Sequence, residues 1–252
     1  MRYAVLGDGK RIRPAVCMLA TKTLGRDPRR AIGPAAALEM IHAYSLVHDD
    51  LPCMDDGQER RGKPATHVAF GEAMAVLAGD GLLTEAFGLL ATSALPDSVR
   101  VRCLATLAKA AGIAGMVGGQ AIDIYPQSDL DTVDGIEMLH SAKTGSLFEC
   151  AAEMGAIAAG ADDWQIQALW AFGSSLGSLF QVTDDLLDWQ EDEPAEAGGP
   201  ESPSVNIVTR IGPMAAHERA QRLFDQAVES LKDLDGTAEL EALAAMVLRR
   251  RA

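Results

Sequence analysis

The stretch LEMIHAYSLVHDDLPCMDD, residues 38–56, decides how this chain is read. Its first half is an apolar run with helical spacing. Its second half packs His48 and the aspartates Asp49, Asp50, Asp55 and Asp56 into nine residues. Carboxylates repel one another, and a helix end has no need of so many. A solvated acidic loop would not carry Leu51, Pro52, Cys53 and Met54 between its charges. A cation site would. On an unbroken helix Asp49 and Asp55 would point about 240° apart and could not share a cation. Pro52 changes this, because it interrupts the hydrogen-bond ladder and bends the chain. With two residues bulged out, Asp49 and Asp55 return to an i, i+4 relation, so the proline is expected to be part of the site geometry.

The rest of the chain sets the frame for that site. It has 252 residues, 48 % of them hydrophobic and 23 % charged, enough for a sizeable core. Aromatics make up only 5 %, and alanine and leucine are abundant, which favours helix over strand. The net charge of −14 argues against nucleic acid as a partner. Cys17, Cys53, Cys103 and Cys150 are widely spaced, without finger or CxxC spacing, and read as free thiols in a reducing compartment. No apolar run is expected to reach the roughly 18–20 residues that span a bilayer. The start, MRYAVLGDGKRIRP, lacks the apolar stretch of a signal peptide, so a cytoplasmic protein with no stable membrane insertion is expected.

Helices are expected at 13–24, 34–47, 71–94, 99–123, 132–157, 162–189, 214–233 and 237–251. The third is apolar on nearly all sides and reads as a central, buried helix. Gly112, Gly115, Gly118 and Gly119 weaken the fourth. Residues 191–204, EDEPAEAGGPESPS, are acidic and rich in proline and glycine, and read as an exposed loop. No useful β-alternation and no fixed-period repeat is present. One all-α domain over 1–252 fits best.

A second acidic cluster lies in FQVTDDLLDW, residues 180–189. Asp184 and Asp188 stack on one helix face, with Asp185 beside them. Phe180, Val182, Leu186, Leu187 and Trp189 surround them, so this is no freely solvated face. Two clusters of carboxylate oxygens suit Mg²⁺, whereas zinc would draw on histidine or cysteine. Cations accompany the first cluster: Lys10, Arg11 and Arg13 in GKRIRP, and Arg60, Arg61 and Lys63 in ERRGKP. Lys143 sits in an otherwise apolar and neutral helix. Arginine forks fit phosphate oxygens. Aspartates that hold Mg²⁺, cations that hold diphosphate and an apolar bundle that holds a greasy chain make one consistent site. His42 lies seven residues before Asp49 on the same helix face; alone it reads equally well as a hydrogen-bonded core histidine.

GKRIRP, HDDLPCMD, RRGKPATH, GGQAIDI, KTGSLFE and FQVTDDLLD occur in this order over residues 2–190, and together they resemble the blocks of the trans-isoprenyl diphosphate synthases. The resemblance implies a single-domain helical bundle around a central apolar cavity. It implies a Mg²⁺-dependent prenyltransferase that joins isopentenyl diphosphate to an allylic diphosphate, with three Mg²⁺ ions when diphosphate is bound. Asp49, Asp55 and Asp184 would be the direct metal ligands; Asp50, Asp185 and Asp188 would ligate partly or hold water. Lys10, Arg13, His42 and Arg61 would bind isopentenyl diphosphate. Arg60, Lys143, Thr144 and Gln181 would face the allylic substrate, and the last three would also stabilise the carbocation. A homodimer is implied as well.

Tyr44 and Ser45, five and four positions before Asp49, fall where the family sets product length. A tyrosine there resembles the bacterial farnesyl type, so a fifteen-carbon product is expected, with geranylgeranyl diphosphate as the alternative. Two rival classes are a catalytically silent subunit of a heteromeric synthase and a synthase-like terpene cyclase. The chain departs from the family pattern in three places. It begins at the segment that a further family helix precedes, Asp8 stands where glycine is usual, and no lysine follows the second aspartate motif until Lys232.

Overall fold

The computed structural model describes residues 1–125, 132–191 and 206–250. The acidic stretch read as a loop lies, beyond Glu191, outside the described residues. Thirteen α-helices are described: α1 (Arg2–Val5), α2 (Ile12–Thr23), α3 (Ile32–Asp49), α4 (Thr66–Phe70), α5 (Glu72–Ala91), α6 (Asp97–Ala111), α7 (Met116–Ile124), α8 (Val133–His140), α9 (Ser146–Ala159), α10 (Asp163–Glu191), α11 (Ile207–Ile211), α12 (Pro213–Ser230) and α13 (Ala238–Leu248). The all-α expectation holds. The one departure among the described residues is a small hairpin, β1 (Glu59–Arg60) against β2 (Lys63–Pro64). Arg61 and Gly62 join its strands at φ 55° and 72°, the left-handed pair that a tight hairpin turn of type I′ requires.

The centre of the bundle is α9, not α5. Of α9's residues only Glu149 and Glu153 escape full burial, and α2, α6 and α10 pack around it. Its alanines and glycine let the neighbours approach backbone to backbone. A Cβ at Gly155 would stand 2.2 Å from the Cys17 carbonyl of α2. The Thr21 hydroxyl uses this approach to donate to the Gly155 carbonyl at 2.8 Å. By contrast, α5 buries Ala78, Leu82, Ala86 and Leu90 but leaves Met74 and Leu77 exposed. Being apolar all round therefore did not make α5 central. Helix α5 is also long and apolar enough to cross a membrane by length and composition, as is 97–124, contrary to the expectation that no such run exists. Both pack along one side on the bundle: α5 on α3, α6 on α9.

Two expected helices are broken, each for a visible reason. The 99–123 helix divides at Gly112–Gly115 into α6 and α7. The 132–157 helix is α8 and α9 joined by a π-helical turn, Ser141–Gly145. Such a turn inserts an extra residue and re-aims the side chains it carries, here Lys143 and Thr144. Among the described residues most buried apolar side chains form one cluster that runs from Ile12 to Val247, and Val47, Leu51 and Ala75 form a second, smaller one at the end of α3.

Candidate active site

The first aspartate motif is held by a turn that Pro52 sets up. Helix α3 stops at Asp49, and the Asp55 amide then donates to the Asp49 carbonyl at 2.9 Å. That bond reaches back six residues where an α-helix reaches four, so two extra residues are accommodated and Asp55 returns beside Asp49. Burial lifts Asp49 to about 6; the nearby Lys143 ammonium opposes the shift and the Asp55 and Asp50 carboxylates add to it. Asp50 faces elsewhere. It is buried, and the Arg60 guanidinium donates to it from Nε at 3.0 Å and Nη2 at 2.5 Å. The hairpin thus hangs from the end of α3 through Arg60, with Arg61 at its tip.

In the second motif each aspartate has its own surroundings. Asp185 is buried and accepts from Gln181 at 2.9 Å and from the Ile207 amide at 2.7 Å, the first amide of α11, whose N-cap is Asn206. Burial lifts its carboxyl to about 6, and those two hydrogen bonds pull the other way. Gln181 in turn accepts from the Thr144 hydroxyl at 3.0 Å. The π turn and α10 are therefore joined through two residues expected in the site. Asp184 accepts from Arg250 Nη2 at 2.9 Å. Among the described residues no three histidine, cysteine or acidic side chains stand close enough to form a ready metal site. The expected ligands Asp49 and Asp55 come together; Asp184 is drawn to a guanidinium instead.

Two cavities meet at Arg13 and His42. The first, of 350 Å³, is mostly apolar; Tyr44, Ser45, Asp49, Lys143 and Thr144 line it with Met116, Val117 and Leu147. The second, of 240 Å³, is polar; Lys10, Arg61, Glu39 and Arg250 line it. Arg13 and His42 belong to both. Arg13 lies over the Phe148 ring at 4.5 Å, and burial lowers its pKa to about 10. Its Nη1 is 3.4 Å from His42 Nε2. A guanidinium only donates, so Nε2 accepts. This agrees with a His42 pKa pushed well below the ordinary value, by burial first and then by the surrounding arginines. Arg11 also lines the second cavity, but its guanidinium is engaged there: it pairs with the buried Glu39 and donates to the Gly7 carbonyl at 2.7 Å. Ser45 is occupied locally, donating to the His42 carbonyl at 3.0 Å. Asp8 is exposed and lies 3.9 Å from Lys63.

The sequence reading missed four residues of this site. Asp123 accepts from Lys143 Nζ at 2.5 Å, where α7 meets the π turn. Gln120 lines the apolar cavity with both amide atoms buried and without a partner among the described residues. Glu39 faces the arginines from the buried side of α3. Arg250 crosses the Phe180 ring at 4.4 Å to reach Asp184. GGQAIDI offered a signal for Gln120 and Asp123. Glu39 and Arg250 carried none, because their partners lie 28 and 66 residues away.

A helical bundle with carboxylates and cations arranged on an apolar cavity is the architecture of the trans-prenyltransferases. Known proteins agree. The model of the polyprenyl synthetase family matches residues 1–200. Farnesyl diphosphate synthase of Geobacillus stearothermophilus is 48% identical over 191 residues, which span 75% of this chain and 64% of that protein. The chloroplastic large subunit 1 of the heterodimeric geranylgeranyl pyrophosphate synthase of Arabidopsis thaliana is 41% identical over 100% of this chain and 71% of its own. The crystal structure of an FPP/GFPP synthase from Zymomonas mobilis superposes with a TM-score of 0.87 at 36% identity, covering 98% of this chain and 86% of that one. The chain belongs to the polyprenyl synthetase family.

Proposed function

We propose that this chain condenses isopentenyl diphosphate with an allylic diphosphate and releases farnesyl diphosphate. One observation carries the reading: Asp49 and Lys143, the groups suited to an allylic diphosphate, line the same apolar cavity as Tyr44. The allylic diphosphate lies between Asp49, Asp55, Asp184 and the cations Arg60 and Lys143. The donors Asp49, Asp55 and Asp184 fit Mg²⁺, since they are all oxygen, and Asp49 is raised by burial, with Asp55 adding to the shift, so a bound cation would relieve it. Arg250 marks Asp184 as a place where a cation is stabilised. Mg²⁺ bound there supplies the charge that weakens the bond to the leaving diphosphate. Thr144 on the cavity wall, with Gln181 hydrogen-bonded behind it, supplies an oxygen dipole to stabilise the carbocation. Lys10, Arg13, His42 and Arg61 hold isopentenyl diphosphate in the polar cavity, where neutral His42 contributes without adding charge.

The enzyme works as a homodimer of single-domain chains in the cytoplasm. Met74 and Leu77 of α5 and Val101 of α6 are exposed apolar side chains, which a second copy would cover. All four cysteines are free, which suits a reducing compartment. Chain length follows from Tyr44, which is buried and presents a ring to the apolar cavity. Tyr44→Ala is expected to keep the first condensation and lengthen the product beyond that of the wild type. An unchanged product distribution contradicts the role given to Tyr44. Geranylgeranyl diphosphate from the wild-type chain would replace the fifteen-carbon reading by the twenty-carbon one.

A further inference from the structure

Gly79 sits within α5 where that helix crosses α3. A Cβ built on it would fall 2.0 Å from His48 Nε2 and 2.4 Å from His48 Cδ2. Only glycine leaves that volume to the imidazole. In the slot, His48 Nε2 lies 3.1 Å from the Val76 carbonyl. A carbonyl only accepts, so the imidazole donates from Nε2 and is anchored to the α5 backbone. The Asp80 carboxylate, 3.9 Å from the same nitrogen, favours that orientation. One turn earlier on α3, Tyr44 meets this ring edge to face, with centroids 5.8 Å apart and planes at 75°. Both rings line the apolar cavity.

We propose that His48, seated in the slot that Gly79 leaves open, is a positioning residue that props the Tyr44 ring and thereby fixes how far the product chain can grow. This rests on Tyr44 closing the cavity. A ring bordered by empty space can swing out of the path of a growing chain, whereas a ring packed against an anchored neighbour cannot. His48 supplies that neighbour. The depth of the cavity is therefore set by three residues on two helices, one of them with no side chain.

The test is product analysis with labelled isopentenyl diphosphate, an allylic primer and Mg²⁺, using the full chain. His48→Ala opens a void beside Tyr44 and is expected to shift the main product up by at least one isoprene unit. Adding Gly79→Leu grows a side chain into the vacated slot and is expected to restore the wild-type length. That rescue separates propping from a general loosening of the site. His48→Asn, smaller but still able to donate to Val76, is expected to lengthen the product partly and serves if His48→Ala fails to fold. Unchanged product length in the folded His48 variants overturns the proposal, and so does lengthening that Gly79→Leu leaves in place. Tyr44→Ala in the same assay tells the two readings apart. If it lengthens the product while the His48 variants do not, the prop fails and the floor stands; if neither lengthens it, the floor fails too.

Discussion

Asp49 combines a cost to the fold with a use in the reaction. Its carboxyl is raised to about 6 by burial and by Asp55, so the folded chain favours the protonated form. That favour is complete below the ordinary value of 3.8 and is lost as pH rises through about 6. Above it, the ionised group burdens the metal-free fold. Asp49→Asn is accordingly expected to match the wild type in thermal unfolding near pH 4 and to exceed it at pH 8, both in chelator. The same substitution is expected to lower turnover by about three decades, because the leaving diphosphate loses stabilisation of several kcal/mol. Wild-type turnover in Asp49→Asn would remove Asp49 from the site. Asp49 and its neighbours were legible because residue type, spacing and an intervening proline all pointed to one chemistry. Arg250 and Glu39 were not, because a lone arginine near a chain end and a lone glutamate on an apolar helix acquire meaning only from partners far along the chain.

Two elements shape the site by breaking regularity. The turn after α3 returns Asp55 to Asp49 across six residues. Pro52→Ala restores a backbone donor and lets the helix run on, which swings Asp55 away from Asp49. Mg²⁺ affinity, measured by calorimetry on otherwise intact enzyme, is expected to fall about tenfold, as it does when a ligand loses its support. Unchanged affinity would mean that the turn forms without the proline. The π turn at Ser141–Gly145 is the second break. Sequence reading passed over it because the composition of HSAKTGSLFE is compatible with unbroken helix, and the extra residue is forced by packing against α7 and α10. The choice of α5 as the central helix failed for a related reason. Periodicity measures how apolar a face is but not what covers it, and α9 wins the centre through its small residues.

At the scale of the molecule, α5 leaves the apolar face of Met74 and Leu77, three residues apart on the helix, exposed on the single chain. Leu77→Arg on that face is expected to turn a dimer into a monomer in sedimentation at micromolar concentration without loss of helix. A wild-type chain that sediments as a monomer would contradict the dimer directly. Chain elongation requires the pairing of a diphosphate-binding rim with an apolar cavity, and the most direct test of that pairing is chemical. The full-length chain is incubated with labelled isopentenyl diphosphate, geranyl diphosphate and Mg²⁺, and the products are separated. Label is expected in farnesyl diphosphate, abolished by chelator. Release of an unlabelled hydrocarbon, or no product at all from folded protein, would contradict the pairing.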